Sequence, residues 1–270
     1  ARELDQNGQP VGYTTNPQEA INYVEAHDNE TLFDNGIWKM PTDSPMDARI
    51  RMQTLSNATV ALGQSPAFWA AGTELLRSKS LDRDSYNSGD WFNSIVWDAT
   101  WHQFGKGLTV WEKNGQRWEQ MRPLLTRAAN LPDREALERA RTMALDLLRL
   151  RASSPLFTLG DADQVLRKLS FPNSAGDAAT PGVIVMALDD ALGTPVDDRY
   201  EALVVVFNSL PRRWTGQIEG YAGEELILSP VQAQGGDEVV KASAWDRGTA
   251  SVPARTVAVF VQPRSGVAAG

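Results

Sequence analysis

The chain contains no cysteine. Disulfides, thiol nucleophiles and zinc–thiolate sites are therefore excluded, and the compartment is left open. Histidine is scarce, at two residues. No apolar run reaches the ~18–20 residues that span a bilayer, so no membrane span is expected, and no signal-peptide pattern opens the sequence. There is no run of basic residues either. With a net charge of −8 and no basic run to neutralise a string of phosphates, broad nucleic-acid binding is not expected. An acidic balance favours neutral or cationic ligands. Internal repeats and low-complexity tracts are lacking as well.

What is present is an ordinary globular composition. The 270 residues are 42% hydrophobic and 22% charged, enough for a sizeable core. Tryptophan stands out at nine residues. Its broad apolar face and single donor suit both core packing and stacking against sugar rings, with packing expected for the majority.

The stretch Ile21-Asn22-Tyr23-Val24-Glu25-Ala26-His27-Asp28-Asn29-Glu30-Thr31-Leu32-Phe33-Asp34 organises the first half. An apolar run follows the turn at Asn16-Pro17 and ends in a polar cluster, and Gly36 and Pro41 break the chain beyond it. This predicts a buried strand with charged groups at its C-terminal tip, the position where a (β/α)₈ barrel carries its chemistry. Ser44-Pro45 then opens a helix whose face is Ala48, Met52, Leu55, Thr59 and Leu62, ended by Gly63. The run Ala67-Phe68-Trp69-Ala70-Ala71 lacks alternation, as a buried parallel strand does. Strand, helix, strand makes a βαβ unit. A long aperiodic loop over 73–93 follows, and loops of that length tend to be functional.

Loops and short helices are expected over 94–131. Asp133 caps a strong helix to about Arg151, with Leu137, Ala140, Ala144, Leu147 and Leu148 as its buried stripe. From Leu156 the texture changes to short β-rich runs: 165–171, 183–188, 202–207, 216–218 and 256–261. These predict an antiparallel sandwich. The fold expectation is therefore α/β plus all-β, with a boundary between 1–154 and 155–270. The residues 266–270 read as a frayed end.

Three segments give the first half a resemblance to the α-amylase superfamily, and within it to the pullulanase-type starch-debranching enzymes. Tyr23 to Leu32 resembles the His-Asp block that ends the seventh strand of the (β/α)₈ TIM barrel. Gly72-Thr73-Glu74-Leu75-Leu76-Arg77-Ser78-Lys79 resembles the end of the eighth. Asp82 to Asn93 is similar to the long loop of pullulanases and limit dextrinases. With the closing β-sandwich, the resemblance covers nearly the whole chain. It implies strands 7 and 8 of the barrel with their helices, then the sandwich.

By this resemblance, Asp28 is the catalytic carboxylate that stabilises the transition state, and His27 hydrogen-bonds sugar hydroxyls beside the cleaved bond. Asn29, Arg77, Asp90 and Asn93 are implied as groups lining the substrate site, and Tyr86 and Trp91 as stacking surfaces for glucose. The residue types agree with the chemistry. Retaining glycoside hydrolysis passes through an oxocarbenium-like state, and a fixed carboxylate stabilises its positive charge more than it stabilises the ground state.

The nucleophilic Asp and the acid/base Glu of this superfamily lie on the fourth and fifth strands, well before the His-Asp block. Here that block comes near the start, and the chain opens on Ala1-Arg2-Glu3-Leu4-Asp5. The expectation is a C-terminal piece of a retaining glycosidase for α-1,6 linkages in pullulan, starch or glycogen limit dextrins. Its partner would be an N-terminal part of the same enzyme that completes the barrel, and the piece alone would be inactive. The α-glucan would be the substrate, and the resemblance favours an extracellular or cell-surface location. The alternative is a non-catalytic glucan-binding or interaction module built on the sandwich and the Trp-rich surface.

No cofactor is implied. Asp189, Asp190, Asp197 and Asp198 carry oxygen ligands of the kind Ca²⁺ takes, but without a recognisable loop spacing, so a solvated hairpin is the main reading and calcium the minor one. Contiguous His27-Asp28-Asn29-Glu30 argues against a transition-metal site, because alternate side chains of a strand face opposite ways. Glu30, Asp34 and Glu74 read as salt-bridge or loop-amide partners, and His102 has no evident role.

Overall fold

A computed structural model describes residues 7–9, 12, 14–174 and 176–265. The opening segment 1–5 and the expected fraying at 266–270 lie outside the described residues. Eight α-helices and eight strands follow in chain order among the described residues. The helices are α1 (Leu32–Lys39), α2 (Met46–Ala61), α3 (Asp90–Asn93), α4 (Trp111–Asn114), α5 (Trp118–Leu125), α6 (Arg134–Ala152), α7 (Ala162–Lys168) and α8 (Pro230–Gln234). The strands are β1 (Leu169–Ser170), β2 (Val183–Asp189), β3 (Tyr200–Asn208), β4 (Trp214–Gln217), β5 (Ile227–Leu228), β6 (Ala244–Asp246), β7 (Thr249–Val252) and β8 (Thr256–Pro263).

The strands form two antiparallel sheets, one of order β1-β2-β3-β8-β5 and one of order β4-β7-β6. In the larger sheet the two-residue side-chain period sorts each strand between two cores. Met186 and Leu188 of β2, Leu203, Val205 and Phe207 of β3, and Val257, Val259 and Val261 of β8 face the helices. There they meet Leu55, Ala58, Ala61 and Leu62 at α2, and Leu147 and Leu150 of α6. The intervening residues Val185, Ala187, Val204, Val206, Ala258 and Phe260 pack instead on Trp214, Ala250 and Val252 of the smaller sheet and on Ile218, just past β4. A sheet covered on both faces needs apolar residues on both, which explains the unbroken run Leu203-Val204-Val205-Val206-Phe207. The helical first half and the β-rich second half thus share one core. Arg51 of α2 ties them further, since its Nη2 meets Asp237 Oδ1 at 2.5 Å and its Nη1 meets Oδ2 at 3.2 Å.

The expected strands at 21–28 and 67–71 are not formed as strands. A single parallel bridge, Asn22 with Ala67, joins them, and the Phe68 N–H donates to the Asn22 carbonyl at 3.1 Å. Ile21, Tyr23 and Phe68 are exposed. A parallel pair without flanking strands leaves half its backbone groups without ladder partners, so the two runs stay irregular.

Helix α1 was hidden by Gly36, which sits inside it with open space around its Cα. Residues 165–168 belong to α7 rather than to a strand, because Asp161 caps that helix by accepting from Gln164 N at 2.9 Å. Leu148 is exposed, and Leu150 takes the expected place of Leu148 in the buried stripe of α6. Asp133 caps α6 as expected, accepting from Ala136 N at 2.8 Å.

Candidate functional site

The polar cluster of the opening stretch bends rather than extends. Residues 27–29 form a bend, and Asn29 takes φ 61°, a left-handed conformation that Asn tolerates better than most residues. The bend delivers the chain into α1. Thr31 caps that helix, accepting from Asp34 N at 3.2 Å, and the buried Glu25 accepts from Leu32 N at 2.5 Å. Two side-chain oxygens thus meet the free amides of the first turn. Burial raises the Glu25 pKa, against the hydrogen bonds from Thr73 and Leu32.

Below the bend lies the segment Arg77-Ser78-Lys79-Ser80-Leu81, fixed by Asp34 of α1. The fully buried Asp34 carboxylate accepts from Ser78 Oγ at 2.6 Å, Lys79 N at 2.8 Å and Leu81 N at 3.1 Å. Burial nevertheless pushes its pKa up to about 6. Lys79 turns its ammonium the other way, donating to the carbonyls of His27 at 3.0 Å and Asn29 at 2.7 Å. Burial lowers the Lys79 pKa, opposed by the charges of Asp34 and Asp82.

Above this floor, an open cleft of about 170 Å³ is lined by Glu25, His27, Asp28, Arg77, Tyr86 and Asn93, among others. Asp28 and His27 are its exposed polar tips. Their side chains are 81% and 92% exposed, and His27 Nδ1 lies 3.3 Å from Asp28 Oδ1. Arg77 is half-buried, its Nη2 donating to the Asn93 carbonyl at 2.8 Å, and burial lowers its pKa. Asn93 in turn donates through Nδ2 to the carbonyls of Ser85 at 2.7 Å and Gly89 at 3.0 Å. Arg77 and Asn93 therefore anchor the long loop to the cleft wall, and Tyr86 stands at the rim with 82% of its surface exposed.

The long loop is ordered from within by Asp82, which is fully buried. Its Oδ1 accepts from Asp84 N and Asn114 Nδ2, both at 2.9 Å, and its Oδ2 from Ser88 Oγ at 2.7 Å. The neighbouring loop packs on it through Ser80, whose hydroxyl donates to the Gln103 carbonyl at 2.8 Å. His102 is a buried scaffold group. Its Nε2 lies 2.8 Å from the Leu76 carbonyl and its Nδ1 accepts from Phe104 N at 3.1 Å, and burial pushes its pKa down to about 4.

Five of the residues expected at a site converge on this cleft: His27, Asp28, Arg77, Tyr86 and Asn93. Asn29, Asp90 and Trp91 lie outside its lining. Asn29 Oδ1 accepts from Arg83 at 3.4 Å. Trp91 stacks on Trp101 with ring centroids 6.5 Å apart, and Lys106 Nζ lies 5.1 Å from the Trp101 ring. Trp91, Trp97, Trp101 and Trp111 are all exposed, so the Trp-rich surface is concentrated in one short span. Sequence reasoning missed the structural parts of the site, Lys79 and Glu25. The spacing of Lys79 from the His-Asp block carried no periodic signal. Glu30 and Asp34 have the partners expected of them: Arg117 Nη1 meets Glu30 Oε1 at 2.7 Å, and Asp34 accepts loop amides.

Of the four aspartates raised for calcium, Asp190 and Asp197 hold protein partners of their own. Asp190 pairs with Lys168 at 2.8 Å and Arg264 at 2.5 Å, and Asp197 accepts from the Ser154 hydroxyl and from Arg199 N at 2.8 Å.

Residues 99–263 match the model of a family described as alpha-1,6-glucosidases, pullulanase-type, C-terminal. The chain is 42% identical over 264 residues to pullulanase 1, chloroplastic, of Arabidopsis thaliana, covering 95% of this chain and 27% of that protein. It is 39% identical over 270 residues to a pullulanase of Klebsiella pneumoniae, covering 97% of this chain and 24% of that one. It also superposes on the crystal structure of Klebsiella pneumoniae pullulanase complexed with maltotriose, with a TM-score of 0.90 and 37% identity, over 98% of this chain and 25% of that one. The chain spans about a quarter of the length of these relatives. It belongs to the pullulanase-type α-1,6-glucosidases, and it matches their C-terminal portion.

Proposed function

We propose that the chain works as the C-terminal part of a retaining glycoside hydrolase that cleaves α-1,6-glucosidic branch linkages in pullulan, starch or limit dextrins. In this reading the segments 21–28 and 67–71 take the places of the last two strands of a (β/α)₈ barrel. The preceding part of the enzyme supplies the pairing that they lack here, and the two antiparallel sheets close the structure as a sandwich. That preceding part also brings the nucleophilic aspartate and the acid/base glutamate. The present chain brings the third carboxylate, Asp28, and the wall of the sugar site.

The observation that carries this reading is the convergence of His27, Asp28, Arg77, Tyr86 and Asn93 on one open cleft. These are a carboxylate, three hydrogen-bonding groups and an aromatic face, which is what a sugar ring with growing positive charge requires. Asp28 stabilises the oxocarbenium-like charge as the glycosidic bond lengthens. His27 donates to a hydroxyl of the reacting sugar. Arg77 and Asn93 hold the loop against the cleft, and Tyr86 offers its ring to a neighbouring glucose. The binding of maltotriose by the Klebsiella pneumoniae relative supports a glucan as the ligand.

The test is Asp28→Asn in the complete enzyme that carries this chain, assayed on pullulan. Turnover is expected to fall by at least about 100-fold while maltotriose binding is kept, as for loss of a group that acts in the transition state. Near-normal turnover would remove Asp28 from the mechanism.

A further inference from the structure

A buried lysine that was not among the residues expected at the site lies directly beneath Asp28. Lys79 is 2% exposed, buried under the bend it supports. Its ammonium donates to the His27 carbonyl at 3.0 Å and to the Asn29 carbonyl at 2.7 Å. Those two carbonyls bracket Asp28 in sequence. The other end of Lys79 is equally fixed, since its backbone N–H donates to the buried Asp34 at 2.8 Å. Lys79 therefore acts as a strut between the floor built by Asp34 and the bend that presents Asp28.

The bend has need of one. No β-ladder runs through 27–29 among the described residues. The Asp28 side chain is itself 81% exposed and gains little packing to orient it. Asn29 is held at φ 61°, a conformation that persists in a non-glycine residue when its surroundings impose it. A compact ammonium suits the task, because its three donors can meet two diverging carbonyls from one point.

We propose that Lys79 is a positioning residue: its buried ammonium locks the His27–Asn29 bend so that the Asp28 carboxylate is pre-aimed at the charge developing on the sugar. The proposal rests on the reading of Asp28 given above. Electrostatic stabilisation depends on such preorganisation, because a carboxylate free to swing must be reoriented at the moment of reaction. Misplacement by about 1 Å is enough to cost on the order of 100-fold in rate.

The experiment compares Lys79→Met, Asp28→Asn and the double variant in the complete enzyme on pullulan, with maltotriose affinity and thermal midpoint measured alongside. Lys79→Met is expected to lower kcat by about 100-fold while KM stays within about threefold. In the Asp28→Asn background the same substitution should cost less than about threefold, because the strut acts through Asp28. An equal loss in both backgrounds would make Lys79 a general scaffold residue and overturn the proposal, as would unchanged kcat in Lys79→Met. If Asp28→Asn collapses and Lys79→Met does not, only the strut fails. If Asp28→Asn itself turns over normally, the reading of Asp28 fails first. Should Lys79→Met not fold, Lys79→Gln decides. It keeps a buried polar side chain, but its shorter arm cannot meet both carbonyls. A kcat reduced by about tenfold supports the proposal, and an unchanged kcat sinks it.

Discussion

Lys168 and Asp190 pair with neither side chain reaching solvent: Nζ lies 2.8 Å from Oδ1, and both side chains are 0% exposed. Lys168 ends α7, and Asp190 follows β2, so the pair fastens the edge of the larger sheet to the helix beside it. Burial disfavours the Asp190 charge. The Lys168 hydrogen bond and the amides of Asp197 and Val196 outweigh it and hold the carboxyl below its ordinary range.

Removing one member of such a pair leaves a buried charge that is poorly compensated. Lys168→Met is expected to destabilise the protein by roughly 3 kcal/mol, the lower end for a broken buried pair, because Arg264 still meets Asp190. Urea unfolding followed by tryptophan fluorescence measures this. Adding Asp190→Leu should recover a large part of the loss. A loss below about 1 kcal/mol for the single variant would place the pair among weak surface bridges instead.

Two buried groups make opposite demands on pH. Asp34 is pushed up to about 6 from 3.8, so the native state holds its proton more tightly than the unfolded chain does. Its contribution to stability is therefore complete below about pH 4 and is lost as pH rises toward 6. His102 is pushed down to about 4 from 6.5, so the native state favours its neutral form. Its contribution is complete above about pH 6.5 and is lost as pH falls toward 4. Each is worth roughly 3 kcal/mol, and across pH 4–6 they largely offset each other. His102→Gln should uncover a stability that falls with rising pH, and Asp34→Asn one that rises. Urea midpoints at several pH values between about 4 and 7 would show this, and curves parallel to the wild type in both variants would refute the assignment.

Tyr86 offers a stacking face with almost no structural role. It is 82% exposed, and Lys113 Nζ lies over its ring at 5.7 Å. Tyr86→Ala is expected to leave stability within about 0.5 kcal/mol. In the complete enzyme it should weaken maltotriose binding up to about tenfold, the range of a lost aromatic contact. Calorimetric titration reads the binding, and an unchanged affinity would take Tyr86 out of the sugar site.

Five of the eight residues expected at the site line the cleft, and they were named by the family resemblance together with residue type. His27-Asp28 at the end of an apolar run, and a loop rich in Arg, Asp, Asn, Tyr and Trp, mark themselves by type and order. So do the Asp133 cap and the hydrophobic runs of β2, β3 and β8. The misreadings occurred where local pattern was weak or tertiary partners decide. The run 165–168 is apolar enough for a strand, yet the Asp161 cap starts a helix there. The runs 21–28 and 67–71 have strand composition, but pairing is a property of neighbours, and one bridge is all they make with each other.

The sequence by itself determined the absence of thiol chemistry and the order of a helical half and an antiparallel half. Those follow from residue type and periodicity, whereas the expected site residues came from the family resemblance. Only the tertiary structure decided that both faces of the larger sheet are covered, because burial on the second face needs β4, β6 and β7, short strands with little signal of their own. Only it placed Lys79 beneath Asp28. Hydrogen bonds between residues 52 and 50 positions apart leave no trace in local pattern, since they exist only once the chain has folded back upon itself.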